Sequence, residues 1–147
     1  MPLDLSPLKI VTKGLKTGDY SVQGYEDKIA IERKSLQDFI ACCGKERARF
    51  EREIDRLDGY RYRAIVIEAD WAAIDLKQYR GAMHPNAIVG SALGFALSNV
   101  SVIMAGDRIR AGKMIARMLW IAANRIHRGT DGFPQSMLGI DKAPEIA

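Results

Sequence analysis

An acidic and a basic side chain stand two residues apart at the end of an apolar run, as Glu32 and Lys34 in the stretch IAIERK. In a strand, residues two apart share a face, so this spacing places a carboxylate beside an ammonium, while Arg33 points to the other side. A carboxylate is a ligand that Mg²⁺ prefers, and an ammonium stabilises negative charge developing on a phosphate. The spacing is therefore compatible with phosphoryl chemistry, although an ordinary ion pair at a strand end has the same pattern.

The preceding turn places a second carboxylate beside the first. The segments TGDYSVQ and KIAIERK flank GYED and predict a β-hairpin. Centring the loop on residues 24–27 places Asp19 opposite Glu32, with Cβ atoms roughly 4.5–5.5 Å apart. Two carboxylates so close repel each other unless a cation lies between them, which indicates a site for a divalent ion such as Mg²⁺. The alternatives are that Asp19 only completes a turn, that Glu32 only pairs with Lys34 or Arg33, and that a one-residue shift in register separates the two carboxylates.

Periodicity and end signals predict the elements around this cluster. Ser35 begins a helix, with Asp38 in the acidic slot of a capping box. Further elements follow from apolar spacing and helix breakers: strands over 9–13, 62–68 and 100–105, and helices over about 45–57, 71–79, 85–98 and 107–126. Strands that alternate with helices after an initial hairpin predict an α/β domain with a mixed sheet.

Composition favours a single folded domain without membrane spans. The chain has 147 residues, of which 48% are hydrophobic, and 22 basic residues outnumber 18 acidic ones, which is compatible with a polyanionic partner. No apolar run approaches the length of a membrane span, and the first residues do not resemble a signal peptide. The adjacent Cys42 and Cys43 suit neither a disulfide framework nor a zinc site. A cytoplasmic location is the resulting expectation.

Two motifs resemble a known nuclease family. G-D-Y at 18–20, followed by I-E-R-K-S-L-Q-D at 31–38, resembles the GDx(n)ERKx(3)D signature of the XPF/Hef-type nucleases. KERARFEREIDRL is similar to the arginine-containing helix that follows the motif, and RAIVIEAD to the next strand. The resemblance spans about residues 15–127. It implies a restriction-endonuclease-like α/β fold with a mixed central β-sheet flanked by helices, a nuclease domain over 1–128, a C-terminal tail over 129–147, and a compact bacterial or phage-type member.

The resemblance also implies roles for individual residues. Asp19 and Glu32 would be the metal ligands and Lys34 the catalytic lysine, while Arg33 and Asp38 would support the site as part of the catalytic group.

A second set of residues concerns the substrate. The resemblance places Arg49 at the family's arginine, where it would contact a substrate phosphate or a site carboxylate, and Glu53 where a glutamine is more usual. On the last predicted helix, Arg110, Lys113 and Arg117 fall on one stripe, which is compatible with phosphate contacts or with an ordinary exposed face.

The chain departs from the family pattern in two respects. The family usually has an upstream strand with an acidic Asp-x-Arg-Glu motif, and Asp4 in PLDLSP has no comparable context. Either that strand precedes the given sequence or this member lacks it, and Glu68 or Asp70 is then a candidate for the further carboxylate. No tandem helix-hairpin-helix domain follows the motif.

The expected function is a metal-dependent DNA endonuclease, using Mg²⁺ or Mn²⁺, that hydrolyses phosphodiester bonds in branched or flapped DNA. Its expected partners are DNA with single-strand/double-strand junctions and, by resemblance, a second copy of the chain. The alternative is a catalytically inactive nuclease-fold module for DNA binding or dimerisation. A structural α/β domain in which the motif is a coincidence is the third hypothesis.

Overall fold

The computed structural model describes residues 3–129, and its centre is a three-stranded parallel sheet. Strands β1 (Ile29–Lys34), β2 (Tyr62–Ile67) and β3 (Ser101–Met104) lie in the order β1-β2-β3. Each is short and largely apolar, as expected of strands covered on both faces. Parallel neighbours require crossover connections, which the helices between them supply. The α/β class and the sheet flanked by helices are confirmed.

Five helices surround the sheet. They are α1 (Leu36–Cys43), α2 (Arg47–Leu57), α3 (Trp71–Asp75), α4 (Pro85–Leu97) and α5 (Arg108–Arg128). The starts of α1 and α5 follow the sequence signals: the Asp38 N–H donates to Ser35 Oγ at 3.2 Å, and the Arg110 N–H donates to Asp107 Oδ1 at 2.7 Å. Helix α3 is shorter than predicted, because it ends at Asp75 rather than at 79. Gly129 ends α5 with φ of 63°, a left-handed conformation that glycine adopts readily.

The sheet has a hydrophobic core on each face. On one face, Ala30, Ile65 and Ile67 pack against α1, α2, α3 and α4, where the rings of Phe39 and Phe50 both meet Phe95 edge to face. On the other face, residues of β1 and β2 pack against α5 and the N-terminal segment: Ile29, Ile31, Val66, Ala111, Ile115, Leu119, Leu3 and Leu5. Because side chains alternate along a strand, Glu32 and Lys34 project towards α1 and α2, whereas Arg33 projects to the α5 side.

Two predicted strands do not form. Residues 9–13 lack regular structure, and Ile10 and Val11 are 56% and 62% exposed, so these apolar residues are not packed into either core. The hairpin is reduced to an antiparallel bridge between Tyr20 and Ile31, which has the predicted register. Within residues 3–129, this bridge is the antiparallel part of an otherwise parallel arrangement.

The N-terminal segment packs across α5. Leu3 and Leu5 are buried, and a Cβ atom on Gly112 would lie 2.5 Å from the carbonyl oxygen of Asp4, so only a glycine permits this approach. The predicted tail beyond Gly129 lies outside the described residues. Among the helices of residues 3–129, none has the length and apolar character needed to cross a membrane.

Candidate active site

A cleft of about 320 Å³ opens where β1 ends against α1 and α2. Its lining consists of Glu32, Lys34, Asp38, Ala41, Cys42, Glu46, Arg49, Phe50 and Glu53. Glu32 and Lys34 reach it because both project from the α1–α2 face at the carboxyl end of β1. In parallel α/β sheets, the carboxyl ends of strands are the usual location of functional sites.

The amine of Lys34 lies between two carboxylates. Its Nζ is 3.3 Å from Glu32 Oε1 and 4.0 Å from Glu53 Oε2, and 5.4 Å from the centre of the Phe50 ring. Burial is the largest single influence and favours the neutral amine, but the interactions with Glu32 and the other acidic groups around it together outweigh burial and raise the pKa of Lys34. The amine therefore remains an ammonium at neutral pH.

The carboxyl group of Glu32 is deeply buried among like charges. Only 6% of the residue is exposed. Burial raises the pKa of Glu32 well above its ordinary value, and a hydrogen bond with Glu53 and the negative charge of Asp19 raise it further. The cluster thus holds more acidic groups than Lys34 neutralises, an arrangement that a bound cation would stabilise.

Backbone contacts hold Asp19 at the edge of β1. Its N–H donates to the Ile31 carbonyl at 2.8 Å, and its Oδ2 accepts from the Arg33 N–H at 2.8 Å. Gly18 makes this approach possible: its φ is +80°, and a Cβ atom there would lie 3.2 Å from the Ile31 oxygen. The glycine-aspartate pair therefore has a physical basis, since the first residue lets the second reach the strand.

The donor set of the site is compatible with Mg²⁺ or Mn²⁺. Within residues 3–129, no group of three or more His, Cys, Asp and Glu side chains is arranged to hold a metal ion. Mg²⁺ commonly uses one or two carboxylates and retains several waters, which matches the pair Asp19 and Glu32. Two further candidate carboxylates have other roles, because Glu68 accepts from Arg33 and Asp70 accepts from the Ala73 N–H at the start of α3.

Arg33 lies on the opposite face from its neighbours in the motif. Its Nε donates to Glu68 Oε1, and the two side chains are only 23% and 11% exposed. Its contact with the site comes through its backbone N–H, which binds Asp19. A supporting role for Arg33 thus has a structural basis in its main chain, while its side chain joins β1 to the end of β2.

The remaining candidates divide between the cleft and α5. Asp38 and Arg49 both line the cleft, and the Arg49 side chain is 80% exposed, with Nη1 3.9 Å from Glu46 Oε2. The stripe on α5 that contains Arg110, Lys113 and Arg117 belongs to the helix on the other face of the sheet.

Glu53 is the site residue that the sequence reasoning did not select. It lies one helical turn after the buried Phe50, so both residues belong to the face of α2 that meets the sheet. That spacing was the available signal, because a carboxylate three residues after a core aromatic residue is directed inwards.

Comparison with known proteins identifies the family. The sequence matches the ERCC4 domain family over residues 3–118, while a comparison with curated proteins finds no match. The solved structure of XPF from Aeropyrum pernix is similar, with a TM-score of 0.59 and 19% identity over 86% of this chain and 64% of that one. XPF from Aeropyrum pernix in complex with DNA gives a TM-score of 0.60, at the same identity and coverage.

The identity and the coverage of each match determine what it shows about this chain. At 19% identity the structural likeness shows the fold, and the chain spans only 64% of the length of the structures it matches. The family match covers most of the chain and includes Asp19, Glu32 and Lys34. The chain therefore belongs to the ERCC4 domain family, the family of the XPF-type nucleases.

Proposed function

We propose that this chain is a divalent-metal-dependent endonuclease that hydrolyses phosphodiester bonds in branched or flapped DNA. The observation that carries the proposal is the buried carboxyl of Glu32 in an open cleft, 3.3 Å from Lys34 Nζ and near enough to Asp19 for the two charges to interact. Burying a carboxyl among like charges costs free energy, and binding a cation and a phosphate would offset that cost.

The side chains divide the work by charge. Asp19 and Glu32 would hold Mg²⁺ or Mn²⁺, which supplies charge neutralisation and a water of lowered pKa when bound. Lys34, as an ammonium, donates a hydrogen bond to the phosphate oxygen on which negative charge develops. Arg49 is exposed at the cleft and attracts the neighbouring phosphates of the strand, and Asp38 lines the same cleft.

DNA as the partner has support from charge and from the relatives. The chain carries a net charge of +4, and Arg110 and Arg117 are exposed on α5 with Lys113 half-buried between them. A similar solved structure, that of XPF from Aeropyrum pernix, was determined in complex with DNA. In this proposal, α5 contacts phosphates away from the bond that is cut.

A cleavage assay tests the proposal. A labelled duplex with a single-stranded flap is incubated with the chain in Mg²⁺, and we expect cleavage near the junction that stops with EDTA. Glu32→Ala should abolish cleavage, whereas Asp55→Ala, an exposed position on the same α2 helix as the cleft residues, should leave it unchanged. Cleavage in EDTA, or equal cleavage by Glu32→Ala, would contradict the proposal.

The alternative is an inactive DNA-binding or dimerisation module with the nuclease fold. The small donor set favours it, since residues 3–129 provide a carboxylate pair and no larger group of metal ligands. Calorimetric titration separates the two hypotheses. Mn²⁺ binding that Glu32→Ala removes supports the enzyme, whereas DNA binding without any Mn²⁺ binding supports the module.

A further inference from the structure

We propose that Glu53 is a positioning residue for Lys34, an inference that rests on the proposed nuclease function. The structure places Glu53 Oε2 4.0 Å from Lys34 Nζ, and Glu32 Oε1 lies 3.3 Å from the same nitrogen. Glu53 comes from α2, whereas Lys34 and Glu32 come from β1, so the contact joins two elements across the cleft.

The surroundings of Lys34 leave its amine dependent on these contacts. Its four-carbon stem is flexible, so an unrestrained amine samples many rotamers. The stem extends beside the ring of Phe50, whose centre is 5.4 Å from Nζ. The cation–π contact restrains the distance between Nζ and the Phe50 ring, while the two carboxylates orient the ammonium. The Glu53 side chain is 19% exposed, so water competes only partly for this contact.

Glu53 also affects the availability of Glu32. With Glu53 removed, Glu32 would be the carboxylate that remains within 4.0 Å of the ammonium, and the pair would close. A Glu32 carboxylate that is fully paired with Lys34 would be less available to bind a metal ion. By sharing the ammonium, Glu53 directs Lys34 towards the cleft and limits its pairing with Glu32. An acceptor oxygen is sufficient for this task, so a glutamine amide should replace the carboxylate.

Cleavage kinetics test this role with a matched set of variants. We expect Glu53→Ala to lower kcat about tenfold or more at saturating Mg²⁺ with little change in the KM for flap DNA, because misplacing a catalytic group slows the reaction step. Glu53→Gln should retain kcat within about threefold, since it keeps the acceptor. Asp55→Ala is the control. Equal kcat for Glu53→Ala and wild type, or equal losses in Glu53→Ala and Glu53→Gln, would overturn the proposal.

A second measurement does not depend on cleavage. In protein labelled with ¹³C-lysine, the Lys34 side-chain signal is assigned by its loss in Lys34→Arg, and its order is measured by NMR relaxation. We expect an ordered Lys34 in wild type and Glu53→Gln and an averaged signal in Glu53→Ala. An unchanged order in Glu53→Ala would overturn the proposal. A wild-type chain that never cuts DNA would instead refute the nuclease function, so the two failures are distinguishable.

Discussion

Two ion pairs begin at neighbouring residues of β1 and differ in how their charges balance. Arg33 on the α5 face pairs with Glu68 at the end of β2 and also interacts with Tyr20. Lys34 on the α1–α2 face meets Glu32 and Glu53, with the charge of Asp19 also acting on Glu32. The first pair joins two strands. The second leaves excess negative charge in a cleft, as expected of a site that takes a cation.

The three successive charged residues of the motif, Glu32, Arg33 and Lys34, serve both faces of the sheet. Alternation along the strand sends the middle residue to one core and its two neighbours to the other. A run that is continuous in sequence thus supplies a structural contact on one face and the proposed catalytic lysine on the other. The backbone N–H of Arg33 connects them, because it binds the carboxylate of Asp19.

The largest contrast is expected from Glu32→Gln, which should have opposite effects on activity and stability. Cleavage should fall below detection because a metal ligand is lost. The metal-free protein should be more stable by about 1 kcal/mol, or roughly 2–5 °C in melting temperature, because a buried carboxyl among like charges becomes a neutral amide. Thermal denaturation in EDTA measures the second effect. A lower melting temperature for Glu32→Gln than for wild type would show that Glu32 stabilises the fold rather than destabilising it.

Breaking the Arg33–Glu68 pair should lower stability, which is the reverse of the effect expected for Glu32→Gln. Glu68→Leu leaves the Arg33 guanidinium partly buried beside an apolar side chain, and we expect a loss of roughly 2–3 kcal/mol in the free energy of unfolding. The double variant Arg33→Met/Glu68→Leu should recover at least half of that loss, because it removes the uncompensated charge as well. Urea denaturation of both variants is the measurement. A double variant no more stable than the single one would argue against a simple pair.

The dependence of stability on pH should distinguish the two faces. The pKa of Glu32 is raised in the folded chain, so the fold binds this proton more tightly than the unfolded chain does. Its stabilising contribution is complete below the ordinary carboxyl pKa and is lost as the pH rises towards the raised value. In EDTA, the melting temperature of wild type should therefore fall relative to Glu32→Gln between about pH 5 and pH 8. Parallel curves for the two proteins would contradict the raised pKa.

The smallest effect is expected from the basic stripe on α5. Replacing Arg110, Lys113 and Arg117 together by Ala should weaken DNA binding several-fold and reduce the slope of log affinity against log salt by about 2–3, because each contact to a phosphate contributes nearly one unit. The rate at saturating DNA should change little. Fluorescence anisotropy at several salt concentrations provides the slope. An unchanged slope would remove α5 from the DNA surface.

Local rules predicted the part of the site that lies on one strand. Alternation placed Glu32 and Lys34 together, and counting from the loop gave the register that the bridge between Tyr20 and Ile31 has. Ser35 and Asp107 marked the helix starts because their side chains satisfy free N–H groups. These features depend on neighbours within a few residues, so the sequence contains them directly.

Features that depend on long-range packing were not predictable in the same way. The segments at 9–13 and 17–23 have the residue types of strands, but whether a strand forms also depends on packing and pairing that no local pattern encodes. Glu53 meets Lys34 only because α2 packs across the end of β1. Its inward direction follows from the spacing to Phe50, but its distance from Lys34 depends on the crossover between the two elements.

The most direct test of the central claim is the single-turnover cleavage rate of Lys34→Ala on flapped DNA in Mg²⁺. The Lys34 ammonium is the positive charge at the centre of the acidic cluster, and we expect its removal to slow cleavage by about a hundredfold or more. Circular dichroism at the assay temperature should show a folded chain. Cleavage by the folded Lys34→Ala variant at the wild-type rate would contradict the account, because the cleft at the end of β1 could not then be the place where the phosphodiester is cut.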